Sequence, residues 1–377
     1  MIYFDNAATG GYKPPVVIDT MTDVLKNLSV NPGRSGHKKA LEATLKIWKT
    51  RNTVKQMVNA PSEDNVVFTQ NCTYALNLAI IGTVRKNGHV ITSCNEHNSV
   101  LRPLHELQRH GQIELTVLSP QADGCVHAEQ IYDALKPNTY LVALSHASNV
   151  TGAVNDVAAI GAVCKENNLL FLVDAAQSIG YTQIDMEKMH VNLLAFPGHK
   201  GLHAPQGTGC LCFTDDAKPR PVVYGGTGSR SDLLYQPEES PECFESGTLN
   251  TPAILALDSA IRWTATHHRK LQTTQNEIQR ILYEGLQAVD GCTVYSVRDT
   301  FTGIVSFLLE DLDSNRIADI LNENYGIATR SGLHCAPLVH RHLNTQHTGL
   351  VRASVSGTNT KEEAYLFLRA VNEIAKA

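Results

Sequence analysis

The chain has 377 residues, 32 Lys and Arg against 37 Asp and Glu, a formal net charge of −5, 42% hydrophobic and 18% charged content. That balance describes a folded globular protein rather than a disordered one, and the absence of a basic cluster argues against a nucleic-acid partner. No apolar run approaches the roughly 18 residues of a membrane span, the start MIYFDNAATGG lacks the basic and apolar regions of a signal peptide, and the nine scattered cysteines form no disulfide framework, so reduced thiols and cytoplasmic residence are expected.

In chain order, residues 1–9 read as a short strand running into the turn-forming DNAATGG. Pro14 and Pro15 open a helix to about Leu28, 31–37 (NPGRSGH) is a polar loop, and 40–58 has helical periodicity, with Leu41, Leu45, Trp48, Val54 and Val58 as the apolar markers. A strand over 65–69 runs straight into a helical stretch beginning near Cys72. Strands over 88–93, 113–118, 139–145 and 169–174 then alternate with helices over 97–110, 127–136 and 155–167. Such alternation predicts a parallel sheet with helices on both faces. Another apolar run covers 191–196, and a turn after Lys200 leads to a further strand. The glycine patches at 207–209 and 225–229 do not complete GxGxxG between strand and helix, so no dinucleotide site is read. Residues 253–289 predict one long or broken helix. Beyond it, strands over 292–297, 303–309, 327–329 and 349–354 and helices over 314–324 and 360–376 predict a separate α+β domain, with the boundary inside the long helix.

The joins between elements carry the chemistry. The run 169–173 is broken by Asp174, and the run 191–196 is followed by Pro197, Gly198, His199 and Lys200. Both groups fall at strand C-termini, the edge where open α/β sheets bind ligands. An acid and a lysine so placed suit an aldehyde cofactor held by the lysine with its ring nitrogen facing the acid; equally, Asp174 would cap the next helix and Lys200 would sit in a solvated loop. The turn at Asn71, Cys72 and Thr73 offers free N–H groups and a hydroxyl at a helix N-terminus, suited to phosphate, although Thr73 alone would serve as a cap. The same edge receives His97, Asn149 and Gln177, the last one helical turn beyond Asp174. That is more than capping requires: an imidazole stacks on a planar ring, and amide donors suit a phenolate oxygen. The segment 245–250 (ESGTLN) reads either as a loop with a specific reach or as plain surface.

Near the C-terminus, RSGLH at 330–334 precedes Cys335, with His340, His342 and His347 close by. Arg330 and His334 as cationic neighbours would favour the thiolate. An inert cysteine and a zinc site also fit, the latter without the usual paired ligand spacing. Arg352 would clamp a carboxylate or sit at the surface.

Taken together the pieces resemble the class V aminotransferase family of pyridoxal-phosphate enzymes, and within it the cysteine desulfurase and selenocysteine lyase group. YFDNAAT from Tyr3, DAAQS, GHK, FESGTLN, RSGLHCAP, VRAS and TNT at 358–360 follow the family's order and approximate spacing over nearly the whole chain. The resemblance implies an α/β fold of PLP fold type I. Its large domain (15–255) would hold a mainly parallel, seven-stranded-type sheet between helices, and its small α+β domain would combine 1–14 with 256–377. It implies Lys200 as the Schiff-base lysine and Asp174 as partner of the pyridinium nitrogen. Gln177 would meet the phenolic oxygen, and His97 would stack on the ring. Cys72, Thr73 and His199 would hold the phosphate, with Thr248 contributed from a second subunit of a homodimer. Asn149 and Arg352 would bind the substrate carboxylate, with Arg330 lining the same pocket, and Cys335 would take up sulfur as a persulfide. Cys72 stands where many relatives have threonine, Gly357-Thr358 where an aromatic usually precedes Asn-Thr, and Pro337 suggests the branch with a short cysteine loop. The implied activity is a PLP-dependent cysteine desulfurase that converts L-cysteine to L-alanine, with a sulfur-acceptor protein as a further partner. Selenocysteine lyase, or another class V C–S lyase or aminotransferase, is the alternative. A cofactor-less binding protein on this fold is opposed by the retention of both Asp174 and Lys200.

Overall fold

A computed structural model describes residues 1–33 and 36–376; Arg34 and Ser35 of the polar loop, and Ala377, lie outside the described residues. Strand β1 (Ile2–Tyr3) leads through the DNAATGG turn to helix α1 (Pro15–Asn27), whose initial proline has no N–H to leave unpaired in the first turn. Helix α2 (Lys38–Val58) starts at His37, whose ring accepts from the Ala40 N–H, and ends on Asn59 in the left-handed conformation. Its buried ridge is Ala40, Ala43, Ile47, Val54 and Val58. Leu41 and Leu45, expected on that face, are each 60% exposed, because they lie off the i, i+3, i+7 ridge that meets the core.

There follow β2 (Val66–Thr69), α3 (Cys72–Gly82), β3 (Gly88–Ser93), α4 (Asn98–Arg109), β4 (Ile113–Leu118), α5 (Ala128–Asp133), β5 (Thr139–Ser145), α6 (Val157–Glu166), β6 (Leu170–Asp174), β7 (Leu193–Pro197) and β8 (Gly209–Phe213). The seven strands β2 to β8 make one sheet in the order β2-β8-β7-β6-β5-β3-β4. Only β8 runs against its neighbours; the other six share one direction, so the C-terminal ends of β2, β3, β5, β6 and β7 meet at one edge. The strands are buried along both faces, and two apolar clusters take alternate residues of each strand. Phe171, Val173, Leu194 and Phe196 face α1, α2 and α6, while Leu170, Leu172, Leu193 and Ala195 face α3 and α4. Two-sided burial is what makes these strands continuous apolar runs rather than alternating ones.

Two glycines set close approaches at the edge. A Cβ on Gly209 would lie 2.5 Å from the backbone of Asn71, so glycine lets β8 start against the β2–α3 turn. Gly180 has φ +84°, and a Cβ there would lie 2.5 Å from the backbone of Gly201, which brings the turn after Asp174 against the chain that follows Lys200.

Helix α7 (Thr251–Gln287) is continuous over 37 residues, about 55 Å at 1.5 Å per residue. Its first half buries Ile254, Leu257 and Ile261 beside the large sheet; its second half buries Ile278, Leu282 and Leu286 in a third cluster with Phe4, Phe307 and Phe367. That cluster is built on β9 (Cys292–Val294), β10 (Ile304–Leu309), α8 (Ser314–Tyr325), β11 (Ile327–Ala328), β12 (Val351–Ser354) and α10 (Lys361–Ala375), with the short α9 (Pro337–His342) between β11 and β12. Strands β12-β10-β9 are antiparallel, and β1 pairs in parallel with β11. Asp5 bridges to Ser354 and Arg330 bridges to Arg352, which ties the N-terminal segment and the Cys335 loop to the same strand. No helix among the described residues is long and apolar enough to cross a membrane.

Candidate active site

A cavity of about 220 Å³ opens at the shared strand edge, roofed by residues of the C-terminal region. Its wall takes Cys72 and Thr73 from the start of α3, His97 from the start of α4, and Asn149 from beyond β5. Asp174 and Gln177 follow β6, His199 and Lys200 follow β7, and Arg330 and Arg352 come from the second region. A larger open cleft, about 1160 Å³ along 218–244, holds none of these residues. Two of the sequence-predicted residues lie outside the cavity wall: Cys335, which is exposed beside it, and Thr248, exposed in the irregular segment 245–250.

Asp174 does not cap a helix. The residues after it form turns, so Gln177 is held by a turn and not by the helical turn expected. Asp174 Oδ1 accepts from the Ala176 N–H at 2.9 Å and faces the Cys72 thiol at 3.6 Å. Burial raises its carboxyl pKa against the opposing pull of Lys200. Lys200 is pulled below the ordinary lysine range, again by burial, with Asp174 acting against the shift. Among the described residues its Nζ makes no hydrogen bond or ion pair. An amine that loses its proton easily and has no competing partner is the form that can condense with an aldehyde.

Asn71, not Thr73, caps α3: its side chain accepts from the Tyr74 N–H at 2.9 Å. Thr73 is thereby released, and its hydroxyl lies 2.7 Å from Ser99 Oγ. Ser99 is in turn 2.8 Å from His97 Nδ1, so hydroxyls and the ring form one chain along the cavity wall. Burial and the Lys200 and Arg330 charges lower the His97 pKa to about 4, which keeps the ring neutral. His199 is likewise held at about 4 by burial and Lys200, its Nδ1 3.0 Å from Thr9 Oγ1. Gln177 donates to the Ala7 carbonyl at 3.0 Å, so the N-terminal turn closes one side of the site.

Arg352 is fully buried. It donates to Asp5 Oδ1 at 2.9 Å and to the Asn149 carbonyl at 3.0 Å, while its Nε has no partner. Asn149 donates through its side chain to the His334 carbonyl at 2.7 Å. The Cys335 carbonyl accepts from the Asn98 N–H at 2.7 Å. His334 and Cys335 both have φ in the left-handed region, 50° and 59°, a conformation that such side chains adopt only when neighbours hold it. The two captured carbonyls supply that hold. Of the two cations expected beside the thiol, Arg330 reaches it, Nη2 to Sγ at 3.4 Å. His334 does not serve as one: it is buried under the loop, where burial and Arg352 push its pKa well down and leave it neutral. Among the described residues no group of three or more His, Cys, Asp or Glu gathers to hold a metal ion.

Several contributors were not singled out in the sequence. Asp5 sits in the DNAATGG turn with nothing to mark it as the partner of Arg352. Glu96, next to His97, is fully buried and accepts from Ser93 Oγ at 2.6 Å and from the Ser145 N–H and Oγ at 2.7 and 2.6 Å. Glu245 roots the 245–250 segment through a buried, two-pronged ion pair with Arg51 and accepts from the Phe68 N–H at 2.7 Å.

The residues present fit pyridoxal phosphate: an unpaired lysine, a carboxylate with one oxygen left free of protein donors, and a hydroxyl at a helix start for a phosphate. The family described as aminotransferase class-V matches residues 2–367. A relative from Methanothermobacter thermautotrophicus, described as a probable cysteine desulfurase, is 36% identical over 99% of this chain and 94% of its own length. One of the same description from Pyrococcus abyssi is 33% identical over 100% and 95%. The apo structure of a cysteine desulfurase from Thermococcus onnurineus superposes with a TM-score of 0.92 at 30% identity, covering 100% of this chain and 94% of that one.

Proposed function

This chain belongs to the class-V aminotransferase family, and within it we propose that it is a pyridoxal-phosphate-dependent cysteine desulfurase that releases L-alanine from L-cysteine and carries the sulfur as a persulfide on Cys335. The observation that supports this most is the double engagement of Arg330. It lines the cavity of Lys200 and Asp174 and donates to Cys335 Sγ at 3.4 Å, so a sulfur nucleophile stands at the mouth of an amino-acid-sized site.

Lys200 would hold the cofactor, Asp174 would face its ring nitrogen, His97 would stack on the ring, Gln177 would meet its phenolic oxygen, and Cys72, Thr73 and His199 would line its phosphate end. Bound there, pyridoxal phosphate supplies an electron sink for bonds broken at the substrate's α and β carbons. Lys200 would also serve as the general base for the substrate α-proton, since burial lowers its pKa below the ordinary lysine range and so favours the neutral amine that a base needs. Arg352 and Asn149, which both line the cavity, would hold the substrate carboxylate end. Cys335 Sγ, held beside the Arg330 guanidinium, would form an S–S bond with the substrate sulfur as the Cβ–S bond breaks, the electron pair staying with the carbon that is protonated on the way to alanine. The exposed Thr248, on a segment rooted by Glu245, would reach the phosphate of a second copy, giving a homodimer with shared sites. An exposed Cys335 leaves the persulfide open to an acceptor protein, and nine free cysteines fit cytoplasmic residence.

The test measures sulfide and alanine release from cysteine by the wild type, Cys335→Ala and Lys200→Ala. Loss of sulfide release in both variants is expected. Full sulfide release by Cys335→Ala would remove the persulfide, and a wild type that never turns yellow with pyridoxal phosphate would remove the cofactor.

A further inference from the structure

Within the cavity wall, the Cys72 side chain points at another predicted group, Asp174. It is the first residue of α3, which begins at the cavity wall. Its Sγ lies 3.6 Å from Asp174 Oδ1. Oδ1 also accepts from the Ala176 N–H at 2.9 Å. Both donors available to the carboxylate therefore fall on the same oxygen. Among the described residues Oδ2 has no donor, and it is not one of the buried polar atoms sealed without a partner, so it opens on the cavity.

A thiol is a weak donor, and only the S–H form donates. Burial, reinforced by the Asp174 charge, pushes the Cys72 pKa well up, so the proton stays on sulfur. The side chain is nearly enclosed, 9% exposed, and its neighbours Asp174 and Cys210 come from the strands beneath. Thr73, one residue on, points the other way, to Ser99 at 2.7 Å. The two adjacent residues of the turn thus divide their work.

We infer that Cys72 is a positioning residue for Asp174 and not a phosphate contact: its S–H holds Oδ1 together with the Ala176 N–H, and so leaves Oδ2 as the oxygen available to a ring N–H in the cavity. This rests on the cofactor reading proposed above and replaces the phosphate role of Cys72 within it. Thr73 and the α3 N-terminus remain the phosphate end.

The experiment compares the full-length wild type, Cys72→Ala and Cys72→Ser, freed of cofactor and titrated with pyridoxal phosphate and, separately, with pyridoxal, which lacks the phosphate. A contact at the ring-nitrogen end predicts that Cys72→Ala weakens both aldehydes by the same factor, about 3- to 10-fold for one modest hydrogen bond, and shifts the pH at which the bound chromophore changes colour. Cys72→Ser restores a donor and recovers most of both. Weakening of pyridoxal phosphate alone would reinstate the phosphate contact and overturn the inference, as would unchanged affinity and spectrum in Cys72→Ala. The cofactor-free protein supplies an independent readout. The infrared S–H band lost in Cys72→Ala lies below the free-thiol frequency and moves up in Asp174→Asn; a band that ignores Asp174→Asn overturns the contact. A wild type that takes up neither aldehyde removes the cofactor reading and the inference together, whatever the infrared band does.

Discussion

Glu96 offers the sharpest quantitative check on the electrostatics behind the site. Its carboxyl is fully buried at the end of β3, and burial, with the nearby Asp174 charge in the same sense, raises its pKa from 4.5 to about 8 against three donated hydrogen bonds. In the unfolded chain it ionises near 4.5; in the folded protein it keeps its proton to about 8. The folded state therefore binds the extra proton throughout that window, and stability falls as pH rises across it. A shift of about 3.5 units corresponds to a ceiling of about 5 kcal/mol, of which about 3 to 4 kcal/mol accrues between pH 5 and pH 8. Glu96→Gln has no proton to lose; its carbonyl can accept from Ser145 and its amide can face Ser93 Oγ. The assay is urea unfolding of both proteins in the same cofactor state at unit steps from pH 5 to pH 9. The wild type should lose about 3 to 4 kcal/mol relative to Glu96→Gln between pH 5 and pH 8, and only about 0.4 kcal/mol more by pH 9. A difference that stays within about 1 kcal/mol across the range would refute the reasoning, since it would mean the carboxylate is ionised in the fold.

Arg352→Ala breaks a buried pair, for which about 3 to 5 kcal/mol is usual; the lower end is expected because Asp5 keeps 22% of its side chain exposed, and a fall in thermal midpoint together with a raised KM for cysteine would register both roles. His146, buried outside the cavity wall, is held neutral to about pH 4 by burial. A depressed histidine loses its contribution as pH falls below 6.5, so the wild type should lose about 2 kcal/mol more than His146→Asn between pH 8 and pH 5, measured as the change in unfolding free energy; equal losses would contradict it.

What the sequence determined by itself was everything that depends on local repetition. Alternating apolar strands and amphipathic helices mark the large sheet to within a residue or two, because two-sided burial writes itself into runs such as LFLVD and LLAFP. The ionisable groups at the ends of those runs mark Asp174 and Lys200 as candidates, which the fold brings into one cavity, and the ordered motifs identified the family that matches residues 2–367. Where local periodicity was ambiguous it misled: Leu41 and Leu45 fit a helical stripe yet face outward, and the turn after Asp174 was read as helix. Only the tertiary structure could decide which groups meet across hundreds of residues. The Arg352–Asp5 pair, the Asn149 hold on the His334 carbonyl, the neutral burial of His334 and the turning of Cys72 toward Asp174 depend on strand order and on the packing of one region over another. No spacing in the chain encodes those, because hydrogen bonding and desolvation act on distance in space, and the sheet brings to one edge residues that the sequence keeps far apart.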